Sequence, residues 1–188
     1  NEFLAANAPV EQFRTLRDNN YEAFDTDLWP AIVEMGWTAL TIPEEYNGLD
    51  FGYVGLGQVL EEMGRNLTKA PLLSSIVLGG TALVNSTNAG LKSTWIPAIM
   101  NGNKRIAFAQ DEKNYFDPSA IETTAVATAN GYQINGTKKM VIDGAGADAY
   151  VVVAKTEEGE SALFLVEADN KDLAIKTDIL LDAATYAT

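Results

Sequence analysis

A chain of 188 residues with 47% hydrophobic and 21% charged content has an ordinary globular composition, long enough for one large or two small domains. Its formal charge of −13 leaves no basic footprint for nucleic acid and repels anionic membranes, and no apolar run approaches the roughly 20 residues of a membrane helix. Neither Cys nor His occurs, which removes disulfides, thiolate nucleophiles, His bases and Cys or His metal ligands, leaving carboxylates, hydroxyls, Lys or a bound cofactor for any chemistry.

Ala8-Pro9-Val10 opens a helix: Pro9 suits a first turn, and Val10, Phe13, Leu16 and Arg17 follow at helical spacing. A second helix starts at Thr26-Asp27-Leu28, carries Trp29, Ile32 and Val33 on one stripe and stops at Gly36. Residues 40–48, punctuated by Pro43 and Asn47-Gly48, read as a loop. A third helix covers about 53–66, with Leu56, Val59, Leu60 and Met63 on one face and Glu61, Glu62 and Arg65 opposite. A fourth covers about 72–85 and a fifth 90–100, with Gly102 just past its end; the weakly charged stretch 70–91 reads as a buried or half-buried helical hairpin.

At Asn101-Gly102-Asn103-Lys104 the period changes from helix to strand. Strand patterns follow at 106–110, 121–129, 132–135, 139–142, 150–155 and 162–167, and another begins at 173–176. Asn130-Gly131 is a hairpin signal, and residues 157–159 turn the next pair. The expected fold is therefore α+β: an α-helical domain over 1–102 followed by a small antiparallel β-barrel or sandwich over 103–188. Small-molecule sites favour such seams, so residues 105–112 are the first place to look for function.

Glu61 and Glu62 are neighbours on a helix and cannot face each other as an acid/base pair, so they read as a solvated face. Glu44 and Glu45 follow Pro43 and read as a loop or first turn. Asp111 and Glu112 end the first strand at the seam. With no His or metal partner they read as the start of a polar loop, with binding left open. Gly144-Ala145-Gly146 lacks the spacing of a phosphate loop and reads as a turn, as does Asp117-Pro118-Ser119. Trp29, Trp37 and Trp95 read as core.

Residues 28–48, with Trp29-Pro30, Met35-Gly36-Trp37 and Pro43-Glu44-Glu45-Tyr46-Asn47-Gly48, resemble the acyl-CoA dehydrogenase family. So do Glu61-Glu62-Met63-Gly64-Arg65, the helix with Lys92, Trp95, Ile96, Pro97 and Gly102, and Gly131-Tyr132-Gln133-Ile134-Asn135-Gly136-Thr137-Lys138. Ala147-Asp148 with residues 151–155 complete a collinear set over nearly the whole chain. The resemblance implies FAD at the junction of the two domains and dehydrogenation of an acyl-CoA. A C-terminal helical bundle, absent here, would carry the catalytic Glu, so no catalytic base and no metal ligand are assigned. It implies an electron-transfer flavoprotein or similar acceptor and a homo- or hetero-oligomer. The start at Asn1 and the stop at Thr188 in mid-pattern read as a fragment, and the absence of Cys suits a cytoplasmic setting.

The resemblance places Phe108, Gln110, Met140, Ile142 and Asp143 as cofactor-binding positions, with Phe116 and Asp117 on the substrate side. Gln110 stands where the family has a flavin-contacting Thr, Met140 where it has a packing Trp, and Ile142 where it has a hydrogen-bonding Thr. Phe116 replaces a Ser near the acyl-CoA, and Asp117 keeps the family residue. An Ile side chain neither donates nor accepts a hydrogen bond. Three readings follow: a divergent flavin dehydrogenase, a catalytically inactive partner subunit of a heteromeric enzyme, or a non-redox acyl-CoA binding module.

Overall fold

A computed structural model describes residues 2–19, 22–180 and 184–188. The first part is helical: α1 (Glu2–Asn7), α2 (Val10–Asp18), α3 (Trp29–Glu34), α4 (Gly52–Asn66), a π-helix (Leu73–Gly80) continuing as α5 (Thr81–Val84), and α6 (Ala89–Met100). The second part carries β1 (Ile106–Ala109), β2 (Thr124–Thr128), β3 (Gly131–Asn135), β4 (Val141–Ile142), β5 (Ala149–Lys155), β6 (Ser161–Glu167), β7 (Thr177–Ile179) and β8 (Thr185–Ala187). The expected succession of helices and then strands is what forms. Among the described residues, α1 is the α-helix that lies outside the predicted ones.

Trp29, Ile32, Leu72 and Ile76 form a core among the helices with Leu4 and Met63, and Trp37 packs against it. A second core spans the seam: Ile42, Leu83, Trp95, Ile96 and Ile99 from the helical part meet Ile106, Ala149 and Val151 from the strands. A third, of Ala107, Ala109, Val141, Tyr150, Val152 and Ala187, lies between the strands. Adjacent residues of β1 thus serve different cores, Ile106 toward the helices and Ala107 toward the strands, as the period of two requires.

The seam is sewn by long-range hydrogen bonds. Trp29 Nε1–H donates to Gly102 O at 2.9 Å and the Thr38 hydroxyl donates to Met100 O at 2.6 Å, fixing the end of α6 on the α3 region. Gly102 has φ 69, and a Cβ there would drive into Val33, so the joint itself requires glycine. The π-helix docks on β1: the Ser75 hydroxyl accepts from Ile106 N–H at 3.1 Å and donates to its carbonyl at 3.4 Å. Gly79 lies so near Ile106 that a Cβ would penetrate its Cγ2 methyl. This i→i+5 winding is invisible in the apolar pattern, which predicts an ordinary helix.

The strands form two sheets. In the first, β5 is central: β6 pairs antiparallel along its length, β1 pairs with residues 149–152, and β2 meets it at Lys155 before turning into the β2–β3 hairpin. The second, β4-β8-β7, is antiparallel. The antiparallel expectation therefore holds for the hairpins and the second sheet, but β1 and β2 run parallel to β5. The long excursion through β2–β4 brings the chain back beside β1 in the same direction, which parallel pairing requires. Two strand boundaries also shift. Met140 has φ 54, which breaks extended geometry and shortens the strand expected at 139–142 to β4. The strand expected from 173–176 begins only at Thr177.

Candidate functional site

Gln110 follows β1 directly, and Ile142 is the second residue of β4. Their neighbours Ala109 and Val141 turn into the strand core, so by alternation Gln110 and Ile142 lie on the outer face of two adjacent strands. Lys139 N–H donates to Asp111 O at 2.7 Å, which brings the segment carrying Met140 alongside Gln110. Gln110, Met140 and Ile142, all half-buried, are thus gathered at one edge of the β-domain. They offer a thioether, an aliphatic branch and one amide, a soft apolar wall with a single side-chain group able both to donate and to accept. That donor set fits a flat heterocycle with a polar edge.

The other sequence-predicted positions go elsewhere. Phe108 packs with the seam core and lines a cleft of about 560 Å³ between the π-helix–α5 segment and the β5–β6 face, with Val77, Leu78, Leu83 and Leu163. Its side chain shares the outer side of β1 with Gln110 but is taken up by the helices. A larger hollow of about 1910 Å³ is lined by Ala109, Ile134, Val141, Tyr150 and Val152 among others. Gln110, Met140 and Ile142 line neither hollow.

Asp143 has φ 55, and its carboxylate lies within the influence of Ser74 at the start of the π-helix, whose hydroxyl donates to Pro71 O at 3.2 Å. Burial raises its pKa, while the Ser74 donors and the Lys69 ammonium work against that rise. Burial in turn lowers the pKa of Lys69, which donates to Glu22 O at 2.6 Å. Asp143 therefore looks back into the helix–strand seam, adjacent in sequence to Ile142 but engaged with the π-helix.

Phe116 lies on the loop between β1 and β2 and is 73% exposed. Asp117 closes the same loop by accepting from Ser119 N–H at 3.1 Å and from the Ser119 hydroxyl at 2.6 Å, and these bonds lower its pKa. The turn expected at Asp117-Pro118-Ser119 is there. Gly144–Gly146 and Glu44–Tyr46 are also short helical turns, as their sequences suggest. Glu61 pairs with Arg65 at 2.7 Å on the surface, but Glu62, expected on a solvated face, is half-buried with Oε2 lacking a hydrogen-bond partner.

The residue most underestimated in the sequence is Glu112. Its carboxylate is 6% exposed and accepts from Lys138 Nζ at 2.6 Å, from Thr123 N–H at 3.0 Å, from the Thr123 hydroxyl at 2.7 Å and from Glu122 N–H at 2.7 Å. Burial alone would raise its pKa, but the bonds from Lys138, Thr123 and Glu122 prevail and hold it at about 2. Lys138 also donates to Gln110 O at 2.9 Å. Lys138 belongs to the quoted Gly131–Lys138 motif, so its place in that motif was the available signal.

The pairing of Arg105 with Asp148 is likewise not legible in the sequence, although Asp148 belongs to the Ala147-Asp148 motif. The guanidinium lies 2.7 Å from Asp148 Oδ2, donates from Nε to Gly146 O at 3.1 Å, and stands over the Phe24 ring at 5.0 Å. The first residue after the joint is thus tied both to the turn after β4 and to the helical part.

Among the described residues no group of acidic side chains is arranged to hold a metal ion, and no helix is long and apolar enough to cross a membrane. Comparison with known proteins agrees with the layout. Residues 2–103 match the acyl-CoA dehydrogenase N-terminal domain and residues 106–184 the acyl-CoA dehydrogenase middle domain. The chain is 31% identical over 158 residues to acyl-CoA dehydrogenase FadE27 of Mycobacterium tuberculosis, covering 84% of this chain and 41% of that protein. It superposes on a chain of the ChsE4-ChsE5 complex of Mycobacterium tuberculosis with TM-score 0.87 and 28% identity, over 98% of this chain and 49% of that one. A solved FAD-dependent dehydrogenase gives TM-score 0.75 and 26% identity, over 93% and 50%. The chain thus spans half or less of the length of these relatives. Two adjoining domain matches, one helical and one of strands, cover nearly all of it: the chain belongs to the acyl-CoA dehydrogenase family.

Proposed function

We propose that the protein carrying this chain is an FAD-dependent acyl-CoA dehydrogenase that introduces an α,β double bond into an acyl-CoA thioester. The observation carrying this reading is the gathering of Gln110, Met140 and Ile142 on the outer edge of adjacent strands, at the positions where the family resemblance calls for flavin contacts. FAD, when bound, supplies the acceptor for a hydride from the substrate β-carbon. Met140 gives a polarisable surface for the ring, Gln110 one amide for its polar edge, and Ile142 excludes water without hydrogen bonding. Asp143 faces Ser74 and Lys69 of the helical part and precedes the Gly144–Gly146 turn. Phe116 and Asp117 lie on the loop offered to the CoA side, and the domain boundary falls at 102/103.

The base that removes the α-proton is not assigned to this chain. Glu112, a buried carboxylate two residues from Gln110, is held at about 2 and does not take up a proton at neutral pH. The chain's part is to bind and orient. An electron-transfer flavoprotein or similar acceptor, an oligomer and a cytoplasmic setting complete the reading.

One observation favours a second reading, a catalytically inactive subunit paired with an active homologue. Three family flavin positions are changed, and one structural relative is a two-protein complex, ChsE4-ChsE5. The test is purification of the protein, its visible flavin spectrum, and anaerobic bleaching with a panel of acyl-CoA thioesters. Yellow protein that bleaches supports the dehydrogenase. Colourless protein that FAD cannot reconstitute overturns it, and colourless protein co-purifying with a yellow homologue establishes the second reading.

A further inference from the structure

We propose that Lys138 and Glu112 form a positioning clamp for the cofactor edge, holding the segments of Gln110 and Met140 in one fixed relation. This rests on the flavin reading above and goes beyond it, because neither residue belongs to the contact set. Lys138 Nζ reaches two oxygens on the far segment, Gln110 O at 2.9 Å and the Glu112 carboxylate at 2.6 Å. The side chains are 9% and 6% exposed. Glu112 is in turn held by Thr123 and Glu122, so the clamp is anchored to the approach to β2.

The geometry explains why the clamp acts on Gln110 and Met140. Gln110 lies beyond the last residue of β1, where ladder hydrogen bonds no longer fix its peptide plane. Lys138 supplies that restraint by taking the Gln110 carbonyl. On the other segment, Met140 has the left-handed φ of 54, which persists only where the surrounding structure holds it. Support comes from the Lys139 N–H bond to Asp111 O at 2.7 Å and, just before it, from the buried Lys138 head group. Removing the ammonium releases the Gln110 carbonyl and strands a buried carboxylate, so both segments loosen together. Contact groups keep their geometry only when the groups behind them are held.

The clamp is tested in the full-length protein with Lys138→Met, Glu112→Gln, Thr123→Val and Lys138→Arg. The readouts are the Kd for FAD, the visible circular dichroism of the bound flavin, and amide hydrogen exchange over residues 110–112 and 137–142. The expected result is a Kd raised about tenfold or more in Lys138→Met, with an altered flavin dichroism and faster exchange in both segments. Thr123→Val, which deletes one donor to Glu112 and keeps the volume, covers the case in which Lys138→Met or Glu112→Gln fails to fold. It should shift dichroism and Kd in the same direction by less, and Lys138→Arg, whose donors can still span both oxygens, should recover most of the affinity. Variants that lose thermal stability yet keep the parent Kd and dichroism reduce the pair to a structural role and overturn the proposal. If the parent takes up no flavin, the dehydrogenase reading fails separately. The exchange data then test the coupling of the two segments by itself: joint loosening of both supports it, and unchanged protection overturns it.

Discussion

Arg105 and Asp148 meet twice across the start of the β-domain: the Arg105 guanidinium lies 2.7 Å from Asp148 Oδ2, and Arg105 N–H donates to the same oxygen at 2.8 Å. Arg105 O in turn accepts from Asp148 N–H at 2.8 Å, so the residue after the joint and the residue before β5 are locked in register. Asp148→Ala removes both side-chain bonds and leaves the guanidinium without its partly buried partner. The expected cost is about 2 kcal/mol in denaturant unfolding. An effect within error of zero would show that β1–β5 pairing sets the register alone.

Gly79 is predicted to tolerate no side chain. Gly79→Ala pushes a methyl group into Ile106, a fully buried residue that also carries the Ser75 bonds, and the expected loss is about 1–3 kcal/mol. Truncating the neighbour separates a clash from a general cost. In Gly79→Ala combined with Ile106→Ala, the loss should be smaller than the sum of the single losses. Simple additivity would place the cost in the helix itself.

These contacts mark how far the sequence could be read. Trp29, Ile32 and Val33, and Leu56 and Met63, declare their helices because local spacing and core burial coincide. The joint declares itself through Gly102 and the change of period. The π winding of Leu73–Gly80 does not, because its cause is Ser75 and Gly79 meeting Ile106, a residue distant in sequence. Parallel pairing of β1 with β5 is equally hidden, since the alternation of a strand carries no information on the direction of its neighbour. Within the site, Gln110, Met140 and Ile142 were found only through resemblance: nothing in their side chains announces a ligand. Glu112 looked like the first residue of a polar loop because its partner, Lys138, lies two strands later.

Asp143 gives a pH prediction with a definite sign. Burial raises its folded-state pKa, so the folded state binds this proton more tightly than the unfolded chain. That contribution is fully present below the unfolded pKa and is lost as pH rises through the folded value, leaving a buried charge at neutral pH. Asp143→Asn keeps a polar side chain of the same shape, suits the left-handed φ of 55, and removes the charge. The variant should melt a few degrees higher than the parent at neutral pH, with the gain fading in acid. A lower melting temperature at neutral pH would show that the Lys69 attraction outweighs desolvation.

Glu112 predicts the opposite dependence. Its folded-state pKa, about 2, lies below the ordinary 4.5, so its stabilisation is present above the ordinary value and is lost as pH falls from there toward 2. After discounting for screening by nearby solvent, the loss is of the order of 2 kcal/mol. Glu112→Gln should be less stable than the parent at neutral pH, and its unfolding free energy should be flatter across this acid window. Parallel pH profiles for the two proteins would contradict the assignment of this carboxylate as an anion in the fold.

Ile142 offers the most direct probe of the proposed cofactor edge. The family resemblance has a hydroxyl at this position, and Ile142 presents only carbon to the same face. Ile142→Thr restores a donor and acceptor with a side chain one heavy atom shorter, on a half-buried site where water can satisfy the hydroxyl in the free protein. One added hydrogen bond of about 1 kcal/mol should tighten FAD binding about fivefold, measured by fluorescence quenching on titration into the deflavinated protein. Gln110→Thr should have a smaller effect, because an amide already supplies both functions there, and the two substitutions should add if the hydroxyls contact different atoms. Unchanged or weaker binding in Ile142→Thr would mean that β4 turns this residue away from the cofactor, and it would move the cofactor edge onto Gln110 and Met140 alone.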